Sequence, residues 1–107
     1  MWYQAQLFLP NSNTWISIGD SRSFADAIRD CWASQFNWVC DCGTPIELVR
    51  RMEWRIASIH GTNTMKYDPV PYDPDFTDWR KSDEQVIQLW KCAMQSAEHI
   101  FHEKQPA

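Results

Sequence analysis

The sequence predicts a small α+β domain, an antiparallel sheet with two helices packed on one face, in the order β-β-α-β-loop-α. Three observations carry that expectation. Apolar residues alternate with a period of two near the N-terminus. They recur every three or four residues in two later segments, each preceded by a helix-capping signal. The 107 residues suffice for one hydrophobic core, so all these elements must share it. The chain is therefore read as a single domain, 1–107, with a frayed tail at 105–107.

Residues 2–9 put Tyr3, Ala5, Leu7 and Leu9 on one side of a strand and Trp2, Gln4, Gln6 and Phe8 on the other. Pro10-Asn11-Ser12-Asn13-Thr14 is turn chemistry, and the alternation resumes at Trp15–Ile18. A hairpin follows, pairing Leu7 with Ile16 and Ala5 with Ile18 on the buried face, and Phe8 with Trp15 on the outer face. Ser23, with Asp26 three residues on, caps a helix expected to end near Phe36 or Asn37. Its apolar positions are Phe24, Ala27, Ile28, Cys31, Trp32 and Phe36.

Residues 45–59 satisfy two templates. Thr44 as N-cap, Pro45 at the first helical position, Glu47 and the later Gly61 suit a helix. As a strand, the segment turns Ile46, Leu48, Met52, Trp54 and Ile56 inward and Glu47, Arg51, Glu53 and Arg55 outward, with Arg50 inward and Val49 and Ile59 outward as misfits. A two-stranded hairpin is marginal in water and a third strand completes a viable sheet, so the strand is the expectation. Residues 62–81 hold three prolines and the near-repeat Tyr67-Asp68-Pro69, Tyr72-Asp73-Pro74, and read as a long acidic-aromatic loop. Ser82-Asp83-Glu84-Gln85 is a capping box, and the stripe Val86, Leu89, Trp90, Ala93, Met94, Ala97, Ile100, Phe101 makes the final helix.

The net charge of −4 is unevenly placed. Residues 68–84 hold six acids against two bases, whereas acids and bases balance in the rest of the chain. Without a long basic face, direct binding to a nucleic-acid backbone is not expected. No stretch approaches the ~20 apolar residues of a membrane span. Met1-Trp2-Tyr3-Gln4 lacks the basic and apolar regions of a signal peptide, so a cytoplasmic location is expected. In that reducing setting Cys31, Cys40, Cys42 and Cys92 are expected as free thiols, and no cofactor or metal is expected.

Signatures of nucleotide binding, zinc proteolysis and serine hydrolysis are absent from the sequence. Cys92 and His99 sit two turns apart on one helix, about 10 Å along its axis and beyond hydrogen-bond reach. Arg50, Arg51 and Arg55 around Trp54 interleave with Glu47 and Glu53, the pattern of a solvated face.

Two surfaces remain as candidates for contact with another macromolecule. The loop presents Tyr67, Asp68, Tyr72, Asp73, Asp75 and Asp78, aromatic anchors rimmed by carboxylates. With both helices on one side of the sheet, the other side carries Trp2, Phe8 and Trp15. A non-enzymatic protein-binding module is the first reading. A small metal- or cysteine-dependent enzyme using His60, and a homo-oligomer joined through the open sheet face, are the alternatives. In whole-chain character the sequence resembles small accessory proteins of phages and mobile elements, including anti-CRISPR and other anti-defence inhibitors. The resemblance lies in an acidic single domain of this size without a catalytic motif. It implies stoichiometric inhibition of a larger partner, a protein or ribonucleoprotein complex of host defence.

Overall fold

In a computed structural model, residues 2–60, 64–73 and 80–104 are described. Strands β1 (Tyr3–Leu9) and β2 (Thr14–Ser21) form the hairpin that the alternation specifies. Leu7 stands opposite Ile16 and Phe8 opposite Trp15, but the expected burial of Ile16 is corrected: Leu7 is buried whereas Ile16, on the edge strand, is 39% exposed. Asn13, in the left-handed region at φ 52°, turns the chain and donates its N–H to the Pro10 carbonyl at 3.3 Å. The expected Ala5–Ile18 pairing is corrected. A bulge after Ala5 sets Gly19 opposite it and leaves Ile18 as the extra residue, still packed against the core. Gly19 answers to a close approach, since a Cβ there would lie 2.7 Å from an Asp30 carboxylate oxygen.

Helix α1 (Phe24–Cys40) opens as expected, with the Asp26 N–H donating to the Ser23 hydroxyl at 3.1 Å. It runs about a turn past the expected end, because Trp38 and Val39 pack against the core. The Asp41 and Cys42 N–H groups then close on the Asn37 carbonyl, and Gly43 (φ 66°) turns the chain away.

The strand expected over 45–59 is corrected to two elements, α2 (Ile46–Arg51) and β3 (Trp54–His60). Each template was right for half the segment. Leu48 and Val49 N–H groups return to the Pro45 carbonyl, and Val49 is wholly buried. Met52 is extended and begins the change of period. From Trp54 onward the alternation is that of a strand. Trp54 and Ile56 enter the core while Arg55 and Ile59 turn out.

The long loop expected over 62–81 is corrected over its first part, where β4 (Thr64–Pro69) pairs antiparallel with β3. The backbone groups on the outer edge of β3 need partners, and this segment supplies them, with Met65, Tyr67 and Pro69 alternating against Lys66 and Asp68. Sheet order is β2-β1-β3-β4. Residues 70–73 form a strap over α1. Val70 is buried, and the Pro71 carbonyl accepts from Trp32 Nε1 (3.3 Å) and Gln35 Nε2 (3.4 Å). Gln35 Oε1, itself buried, accepts the Asp73 N–H at 3.2 Å.

Helix α3 (Asp83–Lys104) begins with the reciprocal capping box, Ser82 N–H to Gln85 Oε1 and Gln85 N–H to Ser82 Oγ. Arg29 ties its start to α1, bonding Asp26 (2.7 Å), Asp83 (2.8 Å) and the Lys81 carbonyl (2.7 Å). Helix α1 lies against β1, β2 and β3, and α3 lies along α1. Tyr3, Phe24 and Trp90 form an aromatic chain between the layers. The α+β class is the one the sequence indicates, with one more strand and one more helix than expected. Helices cover one sheet face, and among the described residues nothing covers the other.

Candidate protein-binding face

The pairing of four strands fixes which side chains share the open face, because residues opposite one another point the same way. Tyr3 opposes Ser58, so Trp2 continues the register beside Ile59, and Ile59 opposes Met65. The next row holds Asp20, Gln4, Ala57 and Tyr67. The third holds Ser17, Gln6, Arg55 and Pro69, and Phe8 and Trp15 close the far end.

Two kinds of chemistry run across this face. One is a polar ladder. Arg55 Nε donates to Gln6 Oε1 (2.7 Å), Gln6 Nε2 to Gln4 Oε1 (2.7 Å), and Gln4 Nε2 to Asp20 Oδ1 (3.1 Å). A cation at one end and an anion at the other polarise both amides in the same sense. The second is aromatic. The Arg55 guanidinium carbon lies 3.9 Å from the Trp15 ring centroid and 3.9 Å from that of Tyr67, so the cation is sandwiched between rings from opposite edges of the sheet. Phe8 meets Trp15 edge-on at 5.1 Å, which holds the outer ring in place. The centre of the face is therefore rigid and its cation already engaged.

Its other end is exposed and apolar. Trp2 is 40% accessible, Ile59 43%, Met65 44% and Tyr67 47%, all on adjacent strands. Singly exposed apolar side chains are ordinary, but a contiguous group on an uncovered sheet face marks an interaction surface. Phe36 on α1 and Ile46 and Leu48 on α2, each expected to face the core, are exposed as well, as is Ile16 on the edge of the sheet.

No protein family, curated protein or solved structure matches the chain. Only its own chemistry bears on what it does.

The expected contact residues divide accordingly. Trp2, Phe8, Trp15 and Tyr67 are gathered on the open face, Tyr67 through β4 rather than a loop. Asp68 opposes Ile56 on the helical side and lies 3.9 Å from Lys66. Tyr72 packs against the core with Arg50 over its ring at 5.9 Å, and the Asp73 backbone is held by Gln35. Neither Asp68, Tyr72 nor Asp73 joins the open face. Asp75 and Asp78 lie outside the described residues.

Sequence reasoning turned Arg55 and Ile59 outward but took Arg55 for part of a solvated face. Met65 was lost in the supposed loop. An Arg one position from strand-phase aromatics was the available signal for the sandwich.

All four cysteines are free thiols, and burial pushes the Cys31 thiol well above its ordinary range. Among the described residues no group of three or more His, Cys, Asp or Glu side chains is placed to hold a metal ion. No described helix is long and apolar enough to cross a membrane.

Proposed function

We propose that this protein is a non-enzymatic protein-binding module that contacts a larger partner through its open sheet face. The observation that carries the reading is the group Trp2, Ile59, Met65 and Tyr67, exposed side by side on a face whose central cation is engaged internally. The polar ladder and ring sandwich hold this platform in one conformation, which lowers the entropy lost on docking. The exposed apolar group abuts the polar ladder, so a partner docking on it meets an apolar patch bordered on that side by polar groups. With Arg55 spent between two rings, the face offers little to a phosphate backbone. The resemblance to small anti-defence inhibitors of phages and mobile elements implies as partner a protein or ribonucleoprotein complex of host defence, held stoichiometrically and inhibited by occupancy.

The test is affinity capture from the native host by the parent, by Trp2→Ser with Met65→Ser, and by Phe36→Ser with Leu48→Ser as a control on the helical side. The expected result is one dominant partner, retained by the parent and the control and lost by the open-face variant. Equal capture by all three would remove the open face from the reading.

A further inference from the structure

The outer edge of β4 carries a second, independent pattern. The Val70 N–H donates to the Trp54 carbonyl at 2.9 Å, which fixes the phase of the β3–β4 ladder. Asp68, Lys66 and Thr64 thus direct their backbone groups to β3, and Met65, Tyr67 and Pro69 direct theirs outward. Proline brings no N–H, and the Pro69 carbonyl accepts from Trp90 Nε1 at 2.9 Å. The N–H and C=O of Met65 and of Tyr67 remain for another strand, among the described residues.

The side chains beside them are self-complementary. Lys66 and Asp68 flank Tyr67 on the helical side of the sheet, where α1 covers β1, β2 and β3 but does not reach β4. Their intrachain pairing is loose at 3.9 Å; the Lys66 side chain is 60% accessible and the Asp68 side chain 19%, so the lysine is the more available of the two to reach across to a second copy. An antiparallel copy of β4 centred on Tyr67 sets Lys66 against the second copy's Asp68, and Asp68 against its Lys66. Tyr67 then faces Tyr67, with two mutual N–H to C=O bonds, and Met65 faces Pro69. The Met65 N–H reaches the second lone pair of a carbonyl that Trp90 approaches from the helical layer. The opposite edge, β2, offers no such match. It is bulged at Ile18 and carries a single charge, Asp20.

We infer that two copies of this chain pair through β4 about a two-fold axis at Tyr67, joining their sheets into one of eight strands. Both open faces then lie on the same side of that sheet, so a partner with repeated subunits is engaged twice. The rival reading of Lys66 is a charge that keeps an edge strand from pairing at all, and the experiment separates the two.

Sedimentation equilibrium from micromolar to millimolar concentration is expected to show the parent approaching twice its 12.7 kDa mass. Lys66→Glu replaces two attractive cross-strand pairs with two repulsive ones and is expected to weaken the dimer by about tenfold or more. Lys66→Asp combined with Asp68→Lys restores both pairs, and is expected to restore the dimer. That rescue also shows that the single variant failed by charge and not by misfolding. A parent that stays monomeric at millimolar concentration overturns the inference, as does a dimer indifferent to Lys66→Glu. The Trp2→Ser, Met65→Ser variant tells the two proposals apart by its charges, since it loses host-partner capture while keeping the Lys66–Asp68 match that drives pairing.

Discussion

Replacing Arg55 tests whether the open face is a built platform or a collection of surface side chains. Arg55→Ala removes two ring contacts, each at 3.9 Å, and the 2.7 Å bond to Gln6. Each cation–π contact at such a half-exposed site contributes about 0.5–1 kcal/mol. The charge-assisted hydrogen bond adds on the order of 1 kcal/mol, because the freed Gln6 amide regains water. The loss should total roughly 2–3 kcal/mol, or about 8–12 °C in Tm for a domain of this size. Arg55→Lys keeps the charge but loses the planar stack and the Nε donor, and should recover less than half of it. Urea unfolding followed by far-UV circular dichroism measures the loss. A double-mutant cycle with Tyr67→Ala isolates one ring, with an expected coupling of about 0.5–1 kcal/mol. A loss under about 0.5 kcal/mol for Arg55→Ala, or no coupling to Tyr67, would refute the rigid-platform argument.

Two further outcomes follow from the buried polar groups. Gln35→Ala removes the Oε1 that accepts from the Asp73 N–H and one of two donors to the Pro71 carbonyl, which should cost about 1–3 kcal/mol. It should also make the chain after Val70 a preferred protease site in limited digestion; an unchanged digestion pattern would mean the strap is held by other contacts. Burial lifts the Asp30 carboxyl above its ordinary range, with Asp26 and Asp20 adding to it and the Ser21 hydroxyl bond opposing. The folded state therefore holds this proton more tightly than the unfolded chain, and Asp30's contribution to stability falls as pH rises past the unfolded value of about 3.9. Asp30→Asn keeps an acceptor for Ser21 and should match the parent in acid but exceed it at neutral pH. Urea midpoints across that range check this, and a gap independent of pH would count against it.

Local signals were enough wherever a few neighbouring residues decide the outcome. Ser23 and Ser82 mark two helix starts because a cap satisfies backbone donors within one turn. The Leu7–Ile16 and Phe8–Trp15 register follows from a four-residue turn and the strict alternation of a strand. Trp2, Phe8 and Trp15 were legible as contact candidates on the same grounds, and Tyr67 as an aromatic of the acidic segment after residue 61.

What the chain's own order did not reveal is where distant segments compete for the same backbone and core. Residues 46–51 and 54–60 carry nearly equal helix and strand credentials. Burial of Val49 beside α1 and pairing of Trp54 with Leu7 assign them. Residues 64–69 do alternate, Met65, Tyr67 and Pro69 against Lys66 and Asp68, but the prolines that follow read as loop, and pairing with the edge of β3 decides for strand. Arg55 reads as solvated until Trp15 and Tyr67, forty and twelve positions away in sequence, close over it from opposite edges of the sheet. Periodicity reports which side of an element is apolar. Only the assembled sheet decides which elements meet, because hydrogen bonds across strands and the desolvation of a shared core depend on residues that sequence spacing does not relate.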